Sequence, residues 1–250
     1  MTTKEKQSDS YEHVGPSRNK APAMFDRISG TYDLLNHLLS CGIDVMWRKR
    51  LARKLKNKKL DVIVDLATGT GDQILTLLKL YPEIQYAYGI DMSFGMLSVG
   101  QEKVKEKNLD SKIKMIHGDA LAIPIASNSV DAVSISFGIR NVINVEDALA
   151  EMQRIVKPGG SVLILEFGIP KSSIIKFGYL LYFRKILPFI GSIISGDKKA
   201  YGYLNQTVES FPYGTDFKDL MTKAGFSTVE ADSLSFGIAY IYHGQKNVDS

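Results

Sequence analysis

The stretch VIVDLATGTGDQILTLLKL, residues 62–80, decides how this chain folds. An apolar run enters a glycine-rich turn, DLATGTGD at 65–72, and a helical pattern leaves it. That layout predicts a buried strand, a tight turn and a helix whose N-terminus is open to a ligand. The usual guest of such a turn is a phosphate, yet two carboxylates, Asp65 and Asp72, bracket this one. Neither would welcome a phosphate. The ligand should be cationic where a dinucleotide is anionic.

Downstream, strands and helices alternate. QYAYGID (85–91), KIKMIHG (112–118), VDAVSISFG (130–138) and SVLILEF (161–167) read as strands, the last apolar throughout and therefore central. Helices are expected over 72–80, from an N-cap at Ser93 to about Lys107, and over 145–156, where KPGG stops the pattern. A short helix (216–224) and strands at 227–235 and 237–244 close the chain. This alternation predicts an α/β fold with a parallel, doubly wound sheet. Upstream, Ala21 to Leu55 is helical in pattern, with Gly30 and Gly42 dividing it into short helices. Residues 1–20 are polar and aperiodic and read as a disordered tail. Residues 21–250 then form one domain: helices at 21–59, a ligand-binding core at 60–170, an apolar helical insertion at 171–200 and the rest of the sheet at 201–246.

The bulk numbers narrow the classes. The chain has 250 residues, 44% of them hydrophobic, enough for one α/β core. A single cysteine, Cys41, excludes an intramolecular disulfide and points to a reducing compartment. The first ten residues have no apolar core of a signal peptide, and no stretch reaches the roughly 18–20 apolar residues of a membrane span. A cytoplasmic protein is expected. The net charge of +4 is mild, and basic residues cluster only at WRKRLARKLKNKK (47–59), where Leu51 and Leu55 share one helical face. That helix could meet an anionic membrane or a nucleic acid, but a solvated surface helix is the plainer reading. Interspersed acids elsewhere argue against nucleic acid as a partner. No His, Asp or Glu spacing predicts a metal site.

Two ligands suit the turn. A dinucleotide asks for G-x-G-x-x-G; Gly69 and Gly71 supply two glycines, but Ile74 stands at the third place and Asp65 lies near the pyrophosphate position. S-adenosylmethionine has an ammonium, a carboxylate and a sulfonium, and no phosphate. Asp65 could accept from the ammonium, while turn N–H groups meet the carboxylate. Asp91 ends the second strand, 20 residues past Gly71, where a carboxylate accepts from ribose hydroxyls. Asp119 and Ala120 follow the third strand, where a carboxylate and a backbone N–H can take an adenine edge. Asp65, Gly69, Gly71, Asp91 and Asp119, in order at the ends of three strands, favour S-adenosylmethionine.

Several stretches carry a resemblance: YDLLNHLLSCGIDVMW (32–47), DLATGTGD (65–72), DALAIPIASNSVDAVSISFGIRNV (119–142), EMQRIVKPGGSVLILEF (151–167), YGYLNQTVESFP (201–212) and LSFGIAYIYHGQK (234–246). In these the chain resembles the ubiquinone/menaquinone-biosynthesis C-methyltransferases, a branch of the class I S-adenosylmethionine-dependent methyltransferases with a Rossmann-like sheet. The resemblance implies cofactor contacts at Thr70, Asp91, Asp119, Ala120 and Ser136. It implies that Tyr32, Asp33, Asn36 and Trp47 belong to a helical cover over the active site. Two positions depart from the pattern: Ala67 replaces the first glycine of the turn, and Asp44 stands where a histidine precedes the tryptophan by three residues.

The implied reaction is methylation of a ring carbon on a reduced polyprenyl quinone precursor, with demethylmenaquinol favoured over a methoxy-polyprenyl-benzoquinol or another small apolar acceptor. Arg140 is the candidate to stabilise the phenolate or orient a water; its plain alternative is an ion pair with Asp147 or Glu166. Asn141 could hold a ring hydroxyl or simply turn the chain. His243 could be a general base or a structural residue. His117 is expected under the adenine loop, His13 in the tail and His37 on a helix surface. The run 174–194 could line a groove for the polyprenyl tail, lie on the inner face of the membrane, cover the core or form a homodimer interface.

Overall fold

The computed structural model describes residues 18–40, 42–189 and 198–248. Residues 1–17, and with them His13 and most of the expected tail, lie outside the described residues, as do Cys41 and 190–197 of the insertion. The tail does not extend to residue 20: Arg18 is buried and its guanidinium donates to the Val142 carbonyl at 2.7 Å.

The strand read from the opening stretch is β1 (Val62–Leu66), flanked on both edges by parallel partners, β2 (Tyr86–Asp91) and β4 (Val130–Ser136). Beyond them stand β3 (Ile113–His117) and β5 (Val156–Phe167). β6 (Phe226–Leu234) and β7 (Ala239–Lys246) complete seven strands in the order β3-β2-β1-β4-β5-β7-β6. The sheet is not wholly parallel. β7 runs antiparallel to both β5 and β6, because only a short link separates it from β6 and the chain must reverse there. KPGG does not merely stop a helix: it lies inside β5, in a register shift opposite Val130–Ala132.

Side chains alternate between two cores. Val64, Val133 and Ile164 face one layer with Leu149, Met152, Phe217 and Met221. Their neighbours Ile63, Ala132 and Leu163 face the other, with Leu51, Leu55, Ile74 and Leu77. The helices of the first layer are α5 (Val145–Ile155) and α8 (Thr215–Lys223); those of the second include α2 (Ile43–Ala52) and α3 (Asp72–Leu80). The basic stretch 47–59 thus spends its apolar face on the core. It is helical only to Leu55, while Lys49, Arg50 and Arg53 stay in solvent.

Chain order reverses between β1 and β4, so a crevice opens at their carboxyl ends, the usual ligand position of such sheets. Helix α1 (Ala21–Leu39) lies over that edge. It runs unbroken through Gly30, contrary to the expected division, because an exposed helix tolerates one glycine at roughly 1 kcal/mol. The chain does divide at Gly42, at φ 73°, immediately before α2.

Two carboxylates hold α1 in place. Asp26 accepts from Ser93 Oγ at 2.6 Å and Gly95 N at 2.9 Å, at the N-terminus of α4 (Phe94–Glu106), where the helix dipole favours an anion. Asp33 accepts from Thr70 Oγ1 in the glycine-rich turn and from Lys103 Nζ of α4. Removing both anchors, as Asp26→Ala with Asp33→Ala, costs about 1 kcal/mol per lost hydrogen bond. The double variant should show faster proteolysis and amide exchange in 21–39, with the sheet amides still protected; equal protection in α1 would contradict this anchoring.

Candidate active site

Two adjoining cavities lie at the carboxyl edge. The first, of about 260 Å³, is walled by Gly69, Asp91, Asp119, Ala120, Ser136 and Asn141 and roofed by Arg18, Ala21 and Pro22. The second, of about 270 Å³, lies under α1 and α2 and is lined almost wholly by apolar and aromatic groups. Phe25, Tyr32 and Phe137 line both. These rings form the wall where the cavities meet.

The floor of the first cavity comes from the turn after β1. Ala67, Gly69 and Gly71 all have positive φ, at 44°, 57° and 85°. Gly138 in the strand-4 loop packs on Ala67 so closely that a Cβ there would lie well inside van der Waals contact with the alanine's own Cβ. The departure at Ala67 is therefore matched by a glycine across the crevice. Asp91 accepts from Gly69 N and Ser93 N, each at 2.8 Å, and as a carboxylate keeps lone pairs for a diol. Burial raises its pKa from the ordinary range. Asp119 Oδ1 accepts from Leu121 N at 2.9 Å. Ser136 Oγ donates to Gln73 Oε1 at 3.2 Å, and the buried Asn141 Oδ1 has no hydrogen-bond partner. Two carboxylates and an orphaned acceptor on one wall suit a ligand with hydroxyls and amino groups and oppose a pyrophosphate.

Three turn residues are placed elsewhere than expected. Asp65 does not line the cavity. It is buried beneath the turn, accepting from Ser134 Oγ at 2.6 Å and Thr68 Oγ1 at 2.7 Å. It braces β1, the turn and β4 rather than facing a ligand's ammonium. Thr70 is likewise buried, with its hydroxyl committed to Asp33, and Gly71 serves as the N-cap of α3.

Arg140 and Asn141 are split between the cavities, Arg140 in the second and Asn141 in the first. Both readings of Arg140 are present. Its Nη1 donates to Glu166 Oε1 at 2.7 Å and to the Phe137 carbonyl, yet its buried Nε has no partner. Tyr179 and Tyr203 line the same cavity with hydroxyls that are also unpartnered, and burial raises the pKa of both, that of Tyr179 well above the ordinary phenol range. Neither tyrosine was singled out from the sequence; each comes from a helix after β5, α6 (Ser173–Leu181) or α7 (Lys198–Ser210). Trp47 packs on Phe137 and Phe167 and donates Nε1 to Ser235 Oγ at 3.2 Å. Phe137 itself has φ 58°, a conformation costly for a bulky residue that persists where surroundings fix it. Of the cover residues, Tyr32, Asn36 and Trp47 line the second cavity, whereas Asp33 does not.

His243 is brought to neither cavity. It pairs with Leu163 well back along β5, contacts Ser161 Oγ at 3.2 Å, and has its pKa lowered by burial. It is a packing residue here, not a base in the crevice. His117 is not tucked under a loop; it is exposed and stacked on Phe94, ring centroids 3.9 Å apart.

A sheet of this order, with a carboxylate ending β2, another after β3 and an apolar chamber beside them, defines a class I S-adenosylmethionine-dependent methyltransferase. Solved structures agree on the fold: a S-adenosylmethionine-dependent methyltransferase of Thermotoga maritima superposes with TM-score 0.62 at 18% identity, covering 90% of this chain and 99% of that one. A phosphoethanolamine N-methyltransferase of Haemonchus contortus in complex with S-adenosyl-L-methionine gives 0.60 at 16% identity, covering 80% of this chain and 52% of that one. Residues 14–246 match the model of the ubiE/COQ5 methyltransferase family. The chain is 40% identical to a demethylmenaquinone methyltransferase of Bacteroides fragilis (94% of this chain, 96% of the relative). It is 41% identical to one of Thermus thermophilus (89% and 100%) and to a ubiquinone/menaquinone biosynthesis C-methyltransferase of Geotalea daltonii (91% and 96%). The chain belongs to the ubiE/COQ5 methyltransferase family, and S-adenosylmethionine is its methyl donor.

Burial pushes the Asp65 carboxyl up to about 6. A raised folded pKa means that folding favours the protonated form, so this contribution is present below the unfolded value near 4 and is lost as pH rises through about 6. Asp65→Asn should match the parent in stability near pH 4 and exceed it by up to about 3 kcal/mol at pH 7, as read from paired denaturant titrations. A difference independent of pH would refute the assignment.

Proposed function

We propose that the chain methylates a ring carbon of a reduced polyprenyl quinone precursor, demethylmenaquinol, in menaquinone biosynthesis. The observation that carries this reading is the second cavity: it is aromatic-lined, joined to the donor cavity, and bears the unpaired polar atoms Arg140 Nε, Tyr179 OH and Tyr203 OH. An apolar bicyclic ring with two oxygens suits such walls. Methylation of a ubiquinone precursor is the second reading, favoured by the name of the Geotalea relative.

The donor supplies an electrophilic methyl on a sulfonium. The remaining requirements fall to the protein. The ring carbon must lie in line with that methyl, which places the acceptor ring against Phe25, Tyr32 and Phe137. The acceptor hydroxyl, a phenol of pKa about 10, must ionise to push electron density onto its ortho carbon. Arg140 favours the phenolate by donating from Nε, while Glu166 holds the guanidinium in place. Paired and buried, Arg140 acts as a donor and not as a base. Closing the chamber with aromatic side chains excludes water from the reacting carbon.

No helix among the described residues is long and apolar enough to cross a membrane. The inner face of α6 and the π-turn after it (Tyr182–Ile186) give Tyr179, Tyr182 and Phe183 to the chamber, while Ile174 and Phe177 on the outer face are 86% and 73% exposed. Lys171 and Lys176 flank them, and 168–189 contains no acid. We read this face as a peripheral contact with an anionic bilayer holding the acceptor's tail. Phe177→Glu should weaken binding to phosphatidylglycerol vesicles by tenfold or more while sparing activity on a short-tailed acceptor in detergent. Unchanged vesicle binding would leave a second copy of the chain as the occupant of this face, visible by sedimentation.

The deciding experiment is methyl transfer from labelled S-adenosylmethionine to chemically reduced demethylmenaquinone and to a reduced demethyl-ubiquinone precursor. Label should enter the naphthoquinol ring. Asp91→Ala should abolish donor binding. Arg140→Lys, which keeps a cation for Glu166 but removes Nε, should retain donor binding and lose roughly 10²–10³ in kcat. Donor binding with no label in either quinol would refute the acceptor.

A further inference from the structure

Methylation of a ring carbon releases one proton, and the route it takes from a closed apolar chamber is not given by Arg140. The geometry points to Asp44 as the base that receives the ring proton, and to His37 as the group that carries it to solvent. This rests on the quinol reading above.

Asp44 stands in the first turn of α2 and is 3% exposed, yet it lines the acceptor chamber. Its Oδ1 accepts from Ser40 Oγ at 2.5 Å and faces His37 Nδ1 at 3.2 Å. Its buried Oδ2, though 3.0 Å from the same nitrogen, makes no hydrogen bond. A buried carboxylate oxygen without a hydrogen bond is costly unless something else meets it; around it stand His37 Nδ1, the equally unpartnered Arg48 Nε and the chamber that Asp44 lines. Arg48 of the same helix stands 3.8 Å away and supports the anion. Among the described chamber residues Asp44 is the carboxylate, and Tyr32, Tyr179 and Tyr203 are driven towards their protonated forms by burial.

His37, on α1, is the link outward. Its side chain is 41% exposed, so a proton taken at Nδ1 can leave from the ring's other nitrogen. That nitrogen, Nε2, lies 3.9 Å from Asp72 Oδ2 of α3. Asp72 is held by Lys103 of α4, and Lys103 also binds Asp33 of α1. The groups around the pair are therefore Ser40, Arg48, Asp72, Lys103 and Asp33. With one lysine shared between two carboxylates, the cluster beyond His37 keeps a net negative charge, and Asp72 is the member that faces the ring.

The step is balanced as follows. The ring-carbon–methyl bond forms as the sulfur–methyl bond breaks, and sulfur keeps the electron pair. The methylated ring carbon then still bears its hydrogen, in a dienone. The C–H pair returns to the ring, aromaticity is restored with the ring oxygen as phenolate, and that C–H proton goes to Asp44 Oδ2 and on through His37 to water; the phenolate regains from solvent the proton it gave up on ionising, so one proton is released in all. No oxidant or second reactant is needed.

An acceptor carrying deuterium on the methylated ring carbon tests this in the full-length chain. With the unsubstituted chain the isotope effect on kcat should be near one, because proton loss follows the harder methyl transfer. Asp44→Asn should lower kcat by about 10²–10³, leave donor binding and acceptor KM within about threefold, and unmask a primary isotope effect. Asp44→Glu should restore part of the rate. His37→Gln, at a half-buried position, should lower kcat about tenfold while leaving donor binding unchanged. Asp44→Asn with an unchanged rate, or slowed with no isotope effect, overturns the assignment while leaving the quinol reading intact. No methylation of either quinol by the unsubstituted chain overturns both.

Discussion

The two cavities are chambers only because a helix lies across the carboxyl edge of the sheet, and polar anchors keep it there. Asp26 reaches the N-terminus of α4 and Asp33 reaches the glycine-rich turn and Lys103. Alongside these points α1 presents Phe25, Ile28 and Tyr32 to the crevice. The arrangement separates two jobs. Anchoring falls to carboxylates on the side of the helix that meets helix ends and a lysine, where charge is complemented. Closure falls to apolar and aromatic groups on the side that meets the ligands. A helix held by its apolar face alone would have to give up that face when the chambers fill.

Much of this was written locally in the chain. The entry of β1 into a glycine-rich turn, the carboxylate ending β2 and the Asp–Ala pair after β3 are each set by a few neighbouring residues, and Asp91, Asp119, Ala120 and Ser136 all line the first cavity. What escaped notice depends on partners far away in sequence. Asp65 looked like a ligand residue because it ends a strand at the ligand edge; that it turns inward depends on Ser134, 69 positions later. Thr70 is diverted in the same way by Asp33, 37 positions earlier. Asp44 drew attention only as a departure from a pattern, since nothing nearby reveals that it lines a cavity completed by Tyr179 and Tyr203 from the other end of the chain. The antiparallel placement of β7 needed the short link after β6 to be read as a reversal.

Backbone strain is present where the cavities meet. Ala67 and Phe137 both have positive φ without being glycine, and Gly138 between the β4 end and Arg140 has no room for a side chain. Such conformations persist only where surrounding contacts over-determine them. Here they aim the Phe137 ring and the Arg140 guanidinium in fixed directions while Leu165 receives the Phe137 N–H at 2.7 Å. Both groups are thus held from the carboxyl end of β4 and by Glu166 of β5.

The wall of Phe25, Tyr32 and Phe137 belongs to both chambers at once. A ligand in either chamber therefore touches the back of a wall that the other chamber uses. Linkage makes any effect across it mutual: whatever factor the donor adds to acceptor affinity, the acceptor adds to donor affinity. The same sharing restricts redesign. Enlarging the second cavity by trimming one of these rings also alters the walls of the first, so on the proposed reading the two affinities cannot be tuned separately at this wall. Selectivity for a different ring size would have to be sought on the far side, among the side chains of α6 and α7, where the chamber has a surface of its own.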